Sequence, residues 1–149
     1  MFGGPGNDTI IDDAIGREPG GVFPVTAVGG PGNDTFVATA GGATEANTLF
    51  TGGPGQNVFH FSTTLFSGGG ATITDFSQHD AILININPAD APTVTFTNSA
   101  GGTEVGAVAS NVRLFVELQG SFDTSQFHVA SDGMGHDVIT YGHSDFHLA

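Results

Sequence analysis

Three near-identical glycine-rich segments constrain the fold of this chain more than any other feature. They read GGPGNDTI from Gly3, GGPGNDTF from Gly29 and GGPGQNVF from Gly52. A motif repeated this closely predicts that each copy is one structural unit, and that the units stack on one another.

The spacing of the copies indicates large repeating units. The sixth positions are Asp8, Asp34 and Asn57, at steps of 26 and 23 residues, and a further step of 23 reaches Asp80. The apolar residue two places later recurs in the same steps, at Ile10, Phe36, Phe59 and Ile82. We therefore expect a parallel β-solenoid of about three and a half coils, each coil about 23–26 residues long, with this apolar column inside.

A second, weaker column is expected midway between the copies. Its apolar positions are Phe23, Leu49 and Ile73, next to degenerate loops such as residues 20–23 and 68–73. The residues of this column that correspond to the acidic position are Gly21, Asn47 and Ala71. None of them is acidic, so we expect no ion there.

The class is all-β. Gly, Pro, Asn and Thr interrupt every window long enough for an amphipathic helix. Runs typical of strands occur at residues 81–86, 93–97, 111–118 and 137–141. The sequence predicts two sections: a β-roll over residues 1–87, and an antiparallel β cap over residues 88–149. In the cap, residues 98–102 are expected to form a hairpin turn. Residues 131–139 look like another G-x-G-x-D-x-U motif, but it lacks neighbours at a matching interval, so a plain hairpin turn is expected there.

The repeated loops offer only oxygen ligands. Paired glycines permit positive φ and a close approach of one backbone to the next, which aims carbonyl oxygens into the gap between stacked loops. The aspartates add carboxylates, and Ca²⁺ takes six to eight such oxygens in flexible geometry. The alternative is a set of metal-free Gly-Pro turns. Stacked carboxylates in a chain of net charge -13 favour the cation.

This pattern, G-G-x-G-x-D-x-U-x with U a large apolar residue, resembles the RTX (repeats-in-toxin) family, whose nine-residue repeats form a Ca²⁺-filled parallel β-roll. The resemblance covers residues 3 to about 86. The enlarged spacing departs from the family, in which loops on one side recur about every eighteen residues.

The resemblance also implies ligands, each site being shared by two successive loops. The first site would use Gly4, Gly6 and Asp8 with Gly29, Pro31 and Asp34. The second would use Gly30, Gly32 and Asp34 with Gly52, Pro54 and Asn57. A third, weaker site would join Gly53, Gly55 and Asn57 to Asp80. Asn57 replaces the usual Asp and is expected to weaken both sites that it touches.

Two further segments resemble parts of secreted proteins. Residues 73–82 are similar to the I-x-D-F…D-x-I segment that closes the β-rolls of serralysin-type proteases and mannuronan epimerase modules, where Asp75 would be either a ligand or a turn residue. The ending, residues 145–149, resembles the uncleaved C-terminal signal of type I secretion substrates. No N-terminal signal peptide is visible. The resemblance implies a secreted, extracellular bacterial protein.

Composition excludes several classes of function. The chain has 15 Asp and Glu but only two basic residues, Arg17 and Arg113, which disfavours nucleic acid and anionic membranes. No apolar run is long enough for membrane insertion. The absence of Cys excludes disulfides and thiolate sites. No catalytic motif is present, so we expect no enzyme. His143 and His147 have metal-ligand spacing, but a solvated tail is the expected state.

Two functions remain open. The first is a calcium-binding structural protein that folds on Ca²⁺ and self-assembles into an extracellular layer, fibre or matrix. Its contact would be the uncapped N-terminal coil, with an outward apolar stripe of Ile11, Val37 and Leu83. The second is a module of a larger secreted protein that binds a polysaccharide or another partner. A single Tyr, Tyr141, and no Trp argue against a sugar-binding platform.

Overall fold

In the part of the chain that the structure describes, twelve strands are distributed over two sheets, and the first seven alternate between the sheets along the chain. The computed structural model describes residues 1–15, 25–40, 48–62, 67–85, 92–109 and 112–142. The strands are β1 (Thr9–Ile15), β2 (Thr26–Val28), β3 (Thr35–Ala40), β4 (Thr48–Thr51), β5 (Val58–Ser62), β6 (Ser67–Ile73), β7 (Ala81–Asn85), β8 (Thr93–Asn98), β9 (Gly102–Ala109), β10 (Val112–Gln119), β11 (Phe127–Ser131) and β12 (His136–Tyr141). The helix in the described part is one 3₁₀ turn, Thr124–Gln126.

The first sheet has the order β1-β3-β5-β7-β12-β11, and its first four strands are parallel. Three of these strands, β1, β3 and β5, each follow a glycine-rich loop, and β7 follows Asp80, which has the corresponding position. Their register pairs Ile10 with Phe36, Phe36 with Phe59, and Phe59 with Ile82. The apolar column predicted from the repeat spacing is therefore confirmed, and all four side chains are buried.

The second sheet has the order β2-β4-β6-β10-β9-β8. Strands β2, β4 and β6 are parallel, β10 continues them in parallel, and β9 and β8 add antiparallel strands. The all-β class is confirmed, with two mostly parallel sheets. The later part of the chain extends both sheets, since β12 pairs with β7 and β10 pairs with β6.

Two expectations about the second column are wrong. Residues 68–73 are not a loop: they belong to β6, which is hydrogen-bonded to β4 and β10 on its two sides. Phe50 rather than Leu49 lies opposite Ile73, and Phe50 is buried while Leu49 is half-buried. Pairing of this glycine segment with β10 outweighs the low strand propensity of glycine. Phe23, Gly21 and Asn47 lie outside the described residues.

Aromatic side chains join the two sheets. Phe36 of β3 stacks on Phe59 of β5 with ring centres 5.0 Å apart, and Phe50 of β4 meets Phe36 edge-on at 5.3 Å. Phe96 of β8 stacks on Phe127 of β11 at 4.4 Å. Such pairs stabilise by about 0.5–1.5 kcal/mol each beyond their buried area. The core is thus formed between the faces of the two sheets.

Other local predictions are confirmed. The strand run predicted at residues 111–118 forms β10, in which Leu114, Val116 and Leu118 are buried alternate residues. Residues 98–102 connect β8 to β9 as a hairpin, closed by the Ser99 amide donating to the Gly102 carbonyl at 2.8 Å. Residues 131–135 connect β11 to β12, as predicted. The outward stripe is only partly exposed, because Leu83 is 8 % accessible whereas Ile11 is 58 % accessible.

Candidate metal centre

The three glycine-rich loops, which immediately precede strands β1, β3 and β5 of the first sheet, stack directly on one another. The Gly4 and Gly6 amides donate to the carbonyls of Gly29 and Pro31, both at 2.9 Å. The same pattern recurs one loop further on, where the Gly30 and Gly32 amides donate to the carbonyls of Gly52 and Pro54, at 3.1 and 3.0 Å. The carbonyls expected as ligands from the later loop of each pair therefore already accept one hydrogen bond. Each keeps a second lone pair.

The glycines at the second and fourth positions of each loop have positive φ, between 90° and 145°. This conformation turns the Gly4 and Gly6 carbonyls toward the next loop, where they lie against Gly30 and Gly32. The predicted ligand carbonyls of the first site thus come from facing sides of one gap. The Gly30 and Gly32 carbonyls likewise lie against Gly53 and Gly55 of the third loop.

The tight stacking predicts a large difference between two alanine substitutions. Gly6 and Gly32 both have positive φ, at 123° and 145°, so alanine strains the backbone at either position. A β-carbon at Gly32 would overlap the Gly6 carbonyl, whereas one at Gly6 would meet nothing within 4 Å. We expect Gly32→Ala to destabilise the protein by about 1–3 kcal/mol more than Gly6→Ala. Thermal unfolding followed by circular dichroism measures this, and equal losses would contradict direct loop contact.

The sixth residues of the loops form a second ladder. The Asp8 amide donates to Asp34 Oδ1 at 2.8 Å, the Asp34 amide to Asn57 Oδ1 at 3.1 Å, and the Asn57 amide to Asp80 Oδ1 at 2.9 Å. The column inferred from the step of 23 residues is therefore brought together, including Asp80. One oxygen of Asp34 and one of Asp80 serve this ladder, which leaves the second oxygen of each for other partners.

The second carboxylate oxygens of Asp8 and Asp34 are buried and have no hydrogen-bond donor. Asp34 Oδ2 lies over the Cα of Gly29, where a β-carbon would also come within 2.7 Å of the Gly52 carbonyl oxygen. Two oxygens therefore converge on the same small space. A buried acceptor without a partner is unfavourable by about 1–3 kcal/mol, and more when it is charged. A cation beside Asp8 and Asp34 satisfies this requirement, so the residues present fit Ca²⁺.

In the third loop, the corresponding side-chain atom has a hydrogen-bond partner within the protein and needs no cation. Asn57 Nδ2 occupies the place that Oδ2 has in the other loops, over the Cα of Gly52. It donates to the Gly53 carbonyl at 3.0 Å. Because Asn57 Oδ1 accepts the Asp34 amide, this orientation of the side-chain amide is set by its partners. An N–H group therefore takes the position that a metal ion would fill beside an aspartate.

Asp80, expected in the third site, is already satisfied by the protein. Its Oδ1 accepts the Asn57 amide, and its Oδ2 accepts both the amide and the hydroxyl of Ser77 at 2.8 Å. Burial raises the pKa of Asp80, and the hydrogen bonds from Asn57 and Ser77 oppose that shift. Gly53 and Gly55, the other predicted ligands here, belong to the third loop, in which Asn57 already binds the Gly53 carbonyl.

Asp75, which the sequence allowed as a ligand or as a turn residue, binds the backbone of the third loop. Its two oxygens accept the amides of Gly52 and Gly53 at 2.8 and 2.7 Å.

The fifth position of each loop has a structural role that the sequence analysis did not predict. Asn7 Oδ1 accepts the Asn33 amide, and Asn33 Oδ1 accepts the Gln56 amide, both at 2.9 Å. The repeated Asn at this position was the signal that could have revealed the ladder.

Within the described part of the chain, no three side chains of His, Cys, Asp or Glu converge as a metal-binding group. Each candidate calcium site holds two sixth-position side chains at most, so backbone carbonyls would supply most of the ligands.

The described residues also contain no helix with the length and apolar character needed to cross a membrane. Phe2, at 83 % accessibility, is the one strongly exposed aromatic residue in the described ranges.

The chain has no significant match among protein-family models, curated proteins or solved structures.

Proposed function

We propose that this chain is a calcium-binding structural protein of the RTX type, in which the two sheets and their loops form a β-solenoid. The observation that carries the proposal is the pair of buried, unpartnered carboxylate oxygens, Asp8 Oδ2 and Asp34 Oδ2, in stacked loops that present carbonyl oxygens. The proposal is tested by adding Ca²⁺ to the EDTA-treated chain and following its circular dichroism.

Two sites are proposed to be the stronger ones. The first lies between the loops that begin at Gly3 and Gly29, the second between those that begin at Gly29 and Gly52, and Asp34 takes part in both. The carbonyl ligands are those expected from the sequence: Gly4, Gly6, Gly29 and Pro31 in the first site, and Gly30, Gly32, Gly52 and Pro54 in the second. When bound, Ca²⁺ neutralises carboxylate charge and cross-links successive loops. The third site is the weakest, because hydrogen bonds within the protein already engage Asn57 and Asp80.

Extracellular calcium concentration suits this role. Ca²⁺ sites of extracellular modules have Kd values of about 10⁻⁴–10⁻³ M, far above the free Ca²⁺ of a cytosol. The chain would therefore fold after export rather than before it. The secretion-like ending at residues 145–149 supports this part of the proposal by sequence alone, since those residues lie outside the described ones. The proposed role is structural, with no catalysis.

We further propose that copies associate through their sheet edges. In the described part, β1 lies at one edge of the first sheet, residues 1–3 cover the outer side of β2 in the second sheet, and β11 and β8 lie at the opposite edges. Open strands present unpaired N–H and C=O groups that accept another chain. Ile11 on β1 and Phe2, which forms a bridge with Val28, expose apolar surface at the first edge. Contact of β1 and residues 1–3 with β11 and β8 of a second copy is head-to-tail and propagates into a filament.

A charge placed on the edge strand is expected to abolish this assembly. Ile11→Lys adds a charged side chain to β1, whereas Val108→Lys places the same charge on β9, inside the second sheet. Light scattering and negative-stain microscopy with millimolar Ca²⁺ should show large assemblies for the parent and for Val108→Lys, and monomers for Ile11→Lys. A parent that stays monomeric at tens of micromolar with Ca²⁺ saturated would overturn self-assembly and favour a module of a longer chain.

A further inference from the structure

Two histidines from distant parts of the chain meet on the outer face of the first sheet. His60 lies on β5 and His136 lies at the start of β12. In the sheet register, Asn85 of β7 is the partner of both Ser62 and His136, which places the two histidines diagonally across β7. Their ring centres are 5.3 Å apart and the ring planes are nearly perpendicular.

A carboxylate orients His136. Its Nδ1 lies 2.5 Å from Asp132 Oδ2, and the side chain of Asp132 is 5 % exposed. Asp132 Oδ1 also accepts the amides of Met134 and His136, so the hairpin turn holds this carboxylate in place. Because the carboxylate accepts the Nδ1 proton, the lone pair of His136 stays on Nε2. A carboxylate bound to the far nitrogen is the usual arrangement behind a metal-ligating histidine.

His60, next to the His136–Asp132 pair, has a ring nitrogen without a hydrogen-bond partner. Its Nε2 is buried and has no hydrogen-bond partner. Burial lowers the pKa of His60, and the neighbouring His136 lowers it further. Neutral imidazole is the form that binds transition metals. A buried polar atom without a hydrogen-bond partner requires an explanation, and a bound ion is one.

We propose that His60 and His136 form a two-histidine site for a borderline divalent metal ion such as Zn²⁺, with Asp132 as the positioning residue. A Zn–N bond of about 2.0–2.1 Å places each ring centre about 3.2 Å from the ion, so two rings at a tetrahedral angle are about 5.2 Å apart. The observed separation is 5.3 Å. Water or an oxygen ligand completes the coordination. His136 is 24 % exposed, which leaves the ion a path from solvent.

This site is chemically distinct from the calcium loops. Nitrogen ligands select Zn²⁺, Cu²⁺ or Ni²⁺, whereas the loops offer only oxygen. The inference therefore does not rest on calcium binding, and the test is made on the full chain with Ca²⁺ saturated. A background with His143→Gln and His147→Gln removes the other histidine pair, which lies outside the described residues.

The test is calorimetric titration of that background protein with Zn²⁺. We expect one ion per chain, and affinity at least tenfold weaker after His60→Gln or His136→Gln. Asp132→Asn, which keeps the rings but alters the orienting partner, should weaken binding about 10–100-fold. His128→Gln is the matched control, because His128 is exposed on β11. Unchanged affinity in the His60 and His136 variants, or no Zn²⁺ binding by the background protein, would overturn the proposal.

A second measurement needs no substitution at the site. Zn²⁺ should protect His60 and His136 of the background protein from diethylpyrocarbonate, as read by mass spectrometry, while His79 and His128 stay reactive. Equal modification of all four histidines with and without Zn²⁺ would also overturn the assignment, whatever the folding of the variants.

Discussion

Removing Ca²⁺ with EDTA is expected to unfold this chain or to lower its melting temperature by about 10–20 °C. An ion that binds only the folded state stabilises it by about 2.7 kcal/mol per site at a hundredfold excess over Kd, so two sites contribute about 5 kcal/mol. That is a third or more of the stability of an ordinary domain. For a chain of this size each kcal/mol shifts the melting temperature by about 2–4 °C.

The physical reason is the set of buried oxygens in the loops. Without a cation, Asp8 Oδ2 and Asp34 Oδ2 stay desolvated and unpartnered. The glycine-rich loops also lose a large conformational entropy when they order. Far-UV circular dichroism and thermal melts with EDTA, and then with millimolar Ca²⁺, measure the effect. Millimolar Mg²⁺ is the control, since it fits a carbonyl-rich cage less well. An unchanged β spectrum and melting temperature in EDTA would refute calcium-dependent folding.

Exchanging Asp and Asn in the loop column should move calcium affinity and calcium-free stability in opposite directions. Asp34→Asn places an amide where Oδ2 is unpartnered, and this amide can donate to the Gly30 carbonyl as Asn57 does to Gly53. We expect the variant to bind Ca²⁺ more weakly, yet to be more stable than the parent in EDTA by about 1–3 kcal/mol. Asn57→Asp removes the internal donor and should show the reverse: tighter Ca²⁺ binding and lower stability in EDTA.

Asp34 and Asp8 are expected to contribute unequally to Ca²⁺ affinity. Asp34 takes part in both proposed sites and Asp8 in one, so Asp34→Ala should lose more Ca²⁺ affinity than Asp8→Ala. Glu104→Gln is the control, because it removes the same charge from an exposed strand residue of the other sheet. Calorimetric titration decides the ranking, and urea unfolding in EDTA decides the stabilities. If Asp34→Ala binds Ca²⁺ like the parent, this loop column is not the calcium site.

The repeat spacing alone was enough to predict the register of the first sheet. Ile10, Phe36, Phe59 and Ile82 align because the sixth-position residues Asp8, Asp34, Asn57 and Asp80 form one hydrogen-bonded ladder, so each strand that follows starts at the same height. The same reasoning placed Asp8, Asp34, Asn57 and Asp80 in one column. Strands of clear alternation, such as β10, were predictable for a similar reason, since the period of the side chains is local.

Sequence reasoning failed where a residue's partner lies in another part of the chain. The glycines at 68–70 look like a turn, but pairing with β10, about 40 residues later, keeps the segment in a strand. Asp75 and Asp80 carry the residue type of a ligand, yet donors from Gly52, Gly53 and Ser77 occupy their oxygens. Residue type predicts what a side chain can bind, whereas tertiary contacts decide what it does bind.

The sequence by itself thus determined the all-β class, the stacking register and the oxygen-rich loops, because these follow from short motifs repeated in order. Only the tertiary structure decided which loop oxygens are left without a donor, and it alone brought His60 to His136, 76 residues further along the chain. Burial of an atom depends on everything packed around it. No local pattern of residues contains that information.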